Sequence, residues 1–424
     1  MKVRELAFEI ISTFYKKKTF INIALSQAIR RHNLTAVDRA FLTRLVYGTL
    51  QNHRLLDYEI KKVTTNKKIR PDMRSLLKCA LYQMRFMDKV PAYAIINESV
   101  EIAKKNFGLQ ATSFCNAVLR QLQKEKFEPK REEFIDELAY LSLVYSHPEW
   151  LLRMVAKHHG QDSAICWLKN NHKEAPLTVR VNTLKAKKEE LLKLGFFREN
   201  LASSEALDYI DKGNPADLPE FLAGKFVIQD LSSQLVASLL NPKVGDTVLD
   251  MCAAPGSKTY HLAALMKNQG KIVALDIHEH RLKLLVGNLP RLGISIVETK
   301  QCDATKLDQF FPAESFDAVL LDAPCSGLGV IRRKPDILIN LKQEALDSLI
   351  DTQRLLIDQA VKVVKKGGTL VYSTCTINKK ENEGQIEYLL KRYPNFKLES
   401  QTLILDNENL NDDFFMAKLR RSDG

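Results

Sequence analysis

The second half of the chain alternates short apolar segments with amphipathic ones, and this alternation limits the possible folds more than any other feature. Five apolar segments have the character of buried strands, at 247–251, 271–276, 295–301, 316–322 and 369–374. The stretches between them, such as 344–368, have the apolar spacing of helices. Nearly continuous apolar strands joined by helical crossovers form a parallel sheet that helices cover on both faces. We therefore expect residues 226–424 to form a Rossmann-like α/β domain.

The first third of the chain has a helical pattern instead. Segments 39–60 and 96–108 place apolar residues at i, i+3, i+4 and i+7, with Asn97 and Gly108 as the predicted start and stop of the second helix. We expect residues 1–135 to form an all-α bundle. Within it, segment 61–74 is strongly basic, and it is predicted to be either a solvated loop or a surface that contacts phosphates.

Residues 140–225 mix helical segments, loops rich in Pro and Gly, and one segment of alternating apolar residues. Leu177, Val179 and Val181 predict a strand in that segment. We expect a small α/β subdomain that links the helical bundle to the Rossmann-like domain. A chain of 424 residues suits such a division, because single cores rarely grow beyond about 250–300 residues.

Composition narrows the class of protein. Hydrophobic residues make up 45% and charged residues 27%, which is typical of a soluble globular chain. No apolar run approaches the roughly 20 residues of a membrane span, and the N-terminus lacks the pattern of a signal peptide, so we expect a cytoplasmic protein. The net charge of +12 favours a polyanionic partner such as RNA. The seven scattered cysteines predict neither a disulfide framework nor a metal site.

Two of those cysteines, Cys325 and Cys375, follow predicted strands directly. Ligands and reacting groups gather at the carboxyl ends of the strands in such sheets, so two thiols from different strands indicate a nucleophile and a helper. The alternative is that each is a small buried residue, as we expect for most of the seven cysteines.

A loop of small residues after the first predicted strand has the position of a cofactor site. It consists of Cys252, Ala253, Ala254, Pro255, Gly256, Ser257 and Lys258. It matches neither the dinucleotide fingerprint nor a Walker A loop, which favours a cofactor without phosphates. Asp276 is placed to accept from ribose hydroxyls, and Asp303 from an adenine amino group. Together these features predict S-adenosylmethionine, although the loop alone is also compatible with a simple turn, and either aspartate alone with a helix N-cap.

The fourth predicted strand ends in Asp322-Ala323-Pro324-Cys325, at a place where amine methyltransferases carry an aromatic residue. A thiol there indicates covalent activation of a pyrimidine, which requires a nucleophile, a base and a carboxylate at the N3 edge of the ring. Arg332, Arg333 and Lys334 follow, and they are predicted either to favour a thiolate and grip RNA phosphate or to form a solvated basic loop.

Three motifs resemble the NOL1/NOP2/Sun family of RNA cytosine-C5 methyltransferases. These are DMCAAPGSKT (250–259), LDAPCSGLGVIRRKPD (321–336) and LVYSTCTINKKENE (370–383). Segments 90–105 and 114–122 are similar to the NusB-like helical domain found in the bacterial 16S rRNA members, and 414–421 to the final strand of the family. The resemblance covers essentially the whole chain.

The resemblance implies that Cys375 attacks carbon 6 of the cytosine and that Cys325 assists release of the adduct. It also implies that Asp322 contacts the cytosine or the cofactor, and that the 252–258 loop, Asp276 and Asp303 hold S-adenosylmethionine. The implied substrate is the cytosine numbered 967 of 16S rRNA, flipped out of its stack, in an unassembled or partly assembled small subunit. A monomer with no membrane contact is expected. Another RNA substrate, or a non-catalytic assembly or antitermination factor, is the alternative.

Overall fold

The computed structural model describes residues 2–19, 21–65, 68–405 and 411–423. The chain forms two compact units, Met1–His172 with Ile331–Leu341, and Lys173–Val330 with Lys342–Gly424. Residues 66 and 67 of the basic segment 61–74 lie outside the described residues. The three domain ranges expected from the sequence stay a prediction.

The first unit is helical. Its helices are α1 (Val3–Lys17), α2 (Ile21–His32), α3 (Ala36–Gln51), α4 (His53–Thr64), α5 (Pro71–Phe86), α6 (Ala92–Phe107), α7 (Leu109–Lys124), α8 (Glu137–Val144), α9 (Glu149–His159) and α10 (Gln161–Asn170). The predicted stop at Gly108 is confirmed, since this residue ends α6 with a φ of 86° that glycine tolerates. The predicted start at Asn97 is wrong. Helix α6 begins five residues earlier, after Pro91, because apolar residues such as Ile95 already contribute to the core there.

The core of this unit is apolar and continuous. Helix α5 is buried along most of its length, and Ile11, Leu45 and Leu77 have no exposed surface. Each such side chain contributes about 1.5–3 kcal/mol through burial. The unit therefore has its own hydrophobic core.

The second unit contains a small antiparallel sheet with strands β1 (Thr178–Val181), β2 (Phe197–Glu199), β3 (Ala206–Tyr209) and β4 (Phe226–Ile228), in the order β2-β3-β1-β4. Helices α11 (Lys188–Leu192) and α12 (Pro219–Leu222) accompany it. The strand predicted around Val179 and Val181 is confirmed as β1. The other three strands were not predicted; they are three or four residues long.

The larger sheet of the second unit has seven strands, in the order β10-β11-β9-β8-β5-β6-β7. They are β5 (Thr247–Asp250), β6 (Lys271–Asp276), β7 (Val297–Gln301), β8 (Phe316–Asp322), β9 (Val364–Thr374), β10 (Phe396–Ile404) and β11 (Phe414–Arg421). The remaining helices are α13 (Leu231–Leu240), α14 (Ser257–Leu265), α15 (Glu279–Leu292), α16 (Ile337–Asn340, in the first unit), α17 (Ala345–Val363) and α18 (Glu383–Arg392). None of the helices among the described residues is long and apolar enough to cross a membrane.

The predicted Rossmann-like class is confirmed, with one addition. Strands β5 to β9 are parallel, whereas β10 and β11 form an antiparallel hairpin that extends the sheet beside β9. In the centre of the sheet, Asp322 at the end of β8 is in register with Ser373 near the end of β9. Since both strands run in the same direction, the loops that carry Cys325 and Cys375 leave the sheet side by side at its carboxyl edge.

Candidate active site

The two strand-end thiols meet. The Sγ atoms of Cys325 and Cys375 lie 3.4 Å apart, within hydrogen-bonding distance for sulfur. The pKa of Cys325 is raised well above the usual range of a thiol. The causes are its hydrogen bond to Cys375, its burial, and the negative charges that Cys375 and Glu381 place beside it. Either thiol can donate in this contact, so one thiol of the pair can stabilise a thiolate on the other.

The cysteines of the helical unit have a different environment. Cys79 and Cys115 lie in its apolar core, and burial raises the pKa of each thiol to about 12. Such thiols are inert at neutral pH. The expectation of small buried residues is confirmed for Cys79, Cys115 and Cys302, whereas Cys166 on α10 is exposed and Cys252 is only partly buried.

One buried carboxylate holds the two cysteine loops together. Glu381 follows β9 and has no exposed surface. Its Oε2 accepts from the backbone N–H of Ser326 at 2.9 Å and from Nε2 of Gln353 at 3.0 Å. Its Oε1 accepts from Oγ of Ser326 at 2.5 Å and from Nδ2 of Asn378 at 3.0 Å. Ser326 is next to Cys325 in the loop after β8, and Glu381 lies in the loop after β9. The carboxylate therefore links the two loops.

Further short contacts tighten the same region. The hydroxyls of Ser326 and Thr376 are 2.7 Å apart, which links the residue after each cysteine. The backbone N–H of Gly329 donates to the carbonyl of Cys375 at 2.9 Å. A Cβ atom on Gly329 would lie 1.9 Å from the carbonyl oxygen of Asp413, so only glycine fits this close approach. The position of each sulfur is thus set by the loop that carries the other.

An ion pair lies beside the thiols. Nζ of Lys258 donates to Oδ2 of Asp322 at 2.7 Å, and the hydroxyl of Ser373 donates to Oδ1 at 2.8 Å. The pKa of Lys258 is raised despite burial, because the charges of Asp322 and Cys375 favour its cationic form. A cation that Cys375 stabilises in turn stabilises a Cys375 thiolate.

The predicted cofactor loop leads into α14. Gly256 precedes this helix with a φ of 110°, and a Cβ there would lie 2.5 Å from the ring of Tyr260. The residue before the helix therefore has to be glycine, which leaves the backbone without a side chain at this point. Asp250, at the end of β5, accepts from Oγ1 of Thr259 at 2.7 Å. Its Oδ1 is buried with no hydrogen-bond partner among the residues described, and burial raises the pKa of this carboxyl to about 7. An uncompensated polar atom beside bare backbone is the expected mark of a ligand site.

The two predicted cofactor aspartates end neighbouring strands of the sheet. Asp276 is buried, accepts from the backbone N–H of His278 at 2.9 Å, and pairs with Arg281 at 3.3 Å. Asp303 accepts from the backbone and hydroxyl of Thr305, and these bonds lower the pKa of its carboxyl. Both aspartates therefore cap local turns, and a ligand contact by either stays a prediction.

Arg332, Arg333 and Lys334 lie in the segment Ile331–Leu341, which clusters with the helical unit. In that segment Ile339 packs against the helical core, and the charge of buried Asp336 contributes to raising the pKa of Tyr47 to about 12. Within the second unit, the cation beside the thiols is Lys258, and the role predicted for the basic run stays a prediction.

Sequence reasoning did not single out Glu381, Gln353, Ser373 or Asp250. Glu381 lies in the motif 370–383, and its place within that motif was the available signal. Gln353 is in the middle of α17 and has no local signal of its polar role.

Models of three protein families match the chain. The model for the 16S rRNA methyltransferases RsmB/F matches residues 237–420, that of the NusB family residues 1–124, and that of the RsmF/B-like ferredoxin-like domain residues 147–194. A probable ribosomal RNA small subunit methyltransferase B of Bacillus subtilis is 40% identical, over 93% of this chain and 89% of the relative. The corresponding Synechocystis protein is 35% identical over 100% of both chains.

Solved structures with a similar fold also match the chain. The crystal structure of PH0851 matches with a TM-score of 0.86 and 28% identity, over 99% of both chains. NSun6 from Pyrococcus horikoshii, solved with the S-adenosylmethionine analogue SFG, matches with a TM-score of 0.59 and 26% identity. The match covers 65% of this chain and 98% of the other.

These relationships agree with the buried, unpaired Asp250 oxygen and the bare loop at Gly256, which fit a polar ligand. The cofactor predicted from the sequence, S-adenosylmethionine, is confirmed, as are the NusB-like helical region and the family resemblance. The chain belongs to the RsmB family of S-adenosylmethionine-dependent ribosomal RNA small subunit methyltransferases.

Proposed function

We propose that this chain methylates carbon 5 of a cytosine in 16S rRNA, at the position numbered 967, through a covalent bond between Cys375 and carbon 6 of the base. The observation that carries the proposal is the 3.4 Å contact between the two sulfurs, beside the ion pair of Lys258 and Asp322. Binding RNA alone does not require two thiols in contact with each other beside a partly buried cation.

The first step needs a thiolate. Lys258 supplies the positive charge that favours it at Cys375, and Cys325 donates its S–H toward the same sulfur. The Cys375 sulfur adds to carbon 6, and the electron pair of the C5–C6 double bond moves toward carbon 5 and the N3 side of the ring. Asp322, held by Lys258 and Ser373, is the carboxylate for the N3 edge.

The methyl group comes from the cofactor, which supplies it as an electrophile to the activated carbon 5. The C5 proton then leaves, either to Cys325 after this thiol has released its own proton to solvent or to a water that Cys325 positions, and the C6–S bond breaks as the ring double bond reforms. The products are 5-methylcytosine and a free Cys375. In this sequence Cys375 attacks and Cys325 assists release.

The residues that would hold the cofactor are those of the 252–258 loop with Asp276 and Asp303, to which Asp250 is now added. Lys258 has the additional role of orienting Asp322. Contacts with RNA phosphates fall to the basic surface of the chain, including Arg332, Arg333 and Lys334, in keeping with the net charge of +12.

The product and its position test the proposal directly. Incubation of the purified chain with unmodified 16S rRNA and cofactor is expected to yield 5-methylcytidine in a nucleoside digest analysed by mass spectrometry. Bisulfite sequencing is expected to place it at the position numbered 967. Methyl groups on a different atom would contradict the chemistry, and methylation elsewhere would contradict the proposed target.

A substituted substrate tests the covalent step. RNA carrying 5-fluorocytosine at the target cannot lose its C5 substituent as a proton, so an adduct that forms cannot be released. The wild-type chain is expected to form a protein–RNA complex that survives denaturing electrophoresis. Absence of this complex with fluorinated RNA that is still bound would argue against covalent attack.

A further inference from the structure

Glu381 differs from every residue to which a role in the reaction has been assigned so far. Its carboxylate receives four hydrogen bonds, from Ser326, Gln353 and Asn378. Two of them come from Ser326, the neighbour of Cys325 in the chain. Gln353 adds a second tie, because its Nε2 also donates to the carbonyl of Pro324, the residue before Cys325.

We propose that Glu381 is the positioning residue of the thiol pair, which holds Cys325 against Cys375 so that Cys325 can release the covalent adduct. The proposal rests on the proposed function, in which Cys325 assists release of the adduct after Cys375 has attacked carbon 6. The hydrogen bonds fix the backbone on both sides of Cys325, and Thr376, next to Cys375, contacts the same Ser326 hydroxyl. The negative charge adds a second effect, since it raises the pKa of Cys325 and so makes the Cys325 thiolate a stronger acceptor for the C5 proton.

The geometry identifies Glu381→Gln as an informative change. Each carboxylate oxygen faces an amide N–H donor, Ser326 and Gln353 at Oε2 and Asn378 at Oε1. Whichever way the new amide turns, its NH₂ group therefore opposes at least one N–H, and one hydrogen bond becomes a repulsion. Glu387→Gln is the matched control, because this glutamate lies on α18, near Glu381 in the chain, and is exposed.

The first readout measures sulfur proximity without any methylation. Diamide accepts the two thiol hydrogens, becoming a hydrazine, while the Cys325–Cys375 disulfide forms. Peptide mapping by mass spectrometry gives its rate. Glu381→Gln is expected to slow this cross-link by about tenfold, the order expected when a buried hydrogen bond is replaced by a repulsion. The control is expected to match wild type, and a cross-linking rate for Glu381→Gln within about twofold of wild type would overturn the proposal.

The second readout separates positioning from general damage. Glu381→Gln is expected to lower kcat by about 10²-fold, with KM for RNA nearly unchanged, and to accumulate covalent protein–RNA complex because release is slowed. In the Cys325→Ala background the same change is expected to leave adduct formation within about twofold, since the residue it positions is gone. A tenfold slower adduct in that background would show that Glu381 serves Cys375 or the fold, and would overturn the proposal.

These readouts keep the two proposals apart. An altered cross-link without any covalent complex, in either background, would preserve the positioning role and reject the covalent mechanism. A normal covalent complex together with an unaltered cross-linking rate would preserve the covalent mechanism and reject the positioning role of Glu381. If Glu381→Gln fails to unfold cooperatively, Ser326→Ala removes one neutral hydroxyl and keeps the charge, and it is expected to slow the cross-link in the same direction by a smaller factor. An unchanged rate in Ser326→Ala would then count against the proposal.

Discussion

Each unit of the molecule contains a buried glutamate, and the two are held in different ways. Glu59 in the helical unit is 3% exposed and pairs with Arg85, whose Nε and Nη2 approach its Oε2 at 3.0 and 2.8 Å. Glu381 in the catalytic unit has no exposed surface and receives its hydrogen bonds from the uncharged groups of Ser326, Gln353 and Asn378.

The difference in partners implies a difference in use. A guanidinium cancels most of the field of Glu59, so that pair ties helices together and has no effect on a neighbouring titration. Neutral donors satisfy the oxygens of Glu381 but leave its negative charge, which then acts on Cys325. A buried carboxylate without a cationic partner therefore indicates a functional rather than a purely structural role.

The largest effect is expected at the ion pair of the catalytic unit. Lys258→Met removes the cation beside Cys375 and releases Asp322, and kcat should fall by about 10²–10³-fold, because charge stabilisation at the reacting atoms is lost. Methyl transfer from labelled cofactor to 16S rRNA measures it. Lys267→Met, which removes an exposed lysine beyond α14, is the control. Equal losses in both variants would contradict the role of Lys258.

The corresponding change in the helical unit should affect stability instead. Glu59→Gln leaves Arg85 partly buried without its counter-charge, and the free energy of unfolding is expected to fall by about 3–5 kcal/mol. Urea denaturation followed by circular dichroism measures this loss, and kcat of the folded fraction should be unchanged. A fall in kcat without loss of stability would erase the distinction between the two glutamates.

Backbone packing provides a smaller contrast. In Gly329→Ala the new methyl group meets the carbonyl oxygen of Asp413, so the cysteine loops must shift, at a cost of about 1–3 kcal/mol and with lower kcat. Gly287 lies in α15 with open space around it, so Gly287→Ala should stabilise by about 0.5–1 kcal/mol and leave kcat unchanged. Thermal unfolding and turnover measured on both variants check the pair.

The smallest effect concerns pH and the helical unit. His147 is completely buried, and burial lowers its pKa to about 3, with the nearby His172 contributing. Between pH 6.5 and 3 the unfolded state therefore binds the proton and the folded state does not, so stability falls as pH decreases. From pH 6.5 to 5.5 this histidine should cost about 1 kcal/mol. Urea unfolding of wild type and His147→Gln at both pH values should show the smaller pH dependence in the variant, and equal dependences would contradict it.

The sequence predicted the features that depend on local pattern. Apolar runs located β5 to β9, and two cysteines directly after strand ends predicted a thiol pair at the carboxyl edge of the sheet. Strand β10 was missed because it is largely exposed and lacks an apolar run. Glu381 was missed because its role depends on Ser326 and Gln353, which are distant in the chain and come close only after folding.

The basic run at Arg332, Arg333 and Lys334 illustrates the same limit. Its distance along the chain from Cys325 is short, and this proximity alone made it the predicted source of positive charge. Its segment belongs to the helical unit, and its role at the thiols stays a prediction, whereas Lys258, 67 residues before Cys325 in the sequence, lies beside Cys375 within the second unit. Long-range contacts of this kind have no signature in a single sequence.

The division of labour between the thiols is tested most directly by trapping. Cys325→Ala and Cys375→Ala variants are incubated with unmodified 16S rRNA and cofactor, and denaturing electrophoresis then resolves covalent complexes from free protein. Cys325→Ala is expected to accumulate a stable protein–RNA complex, because attack proceeds and release does not, whereas Cys375→Ala is expected to give none. A complex with Cys375→Ala and none with Cys325→Ala would reverse the two roles, and no complex with either would contradict covalent catalysis by this pair.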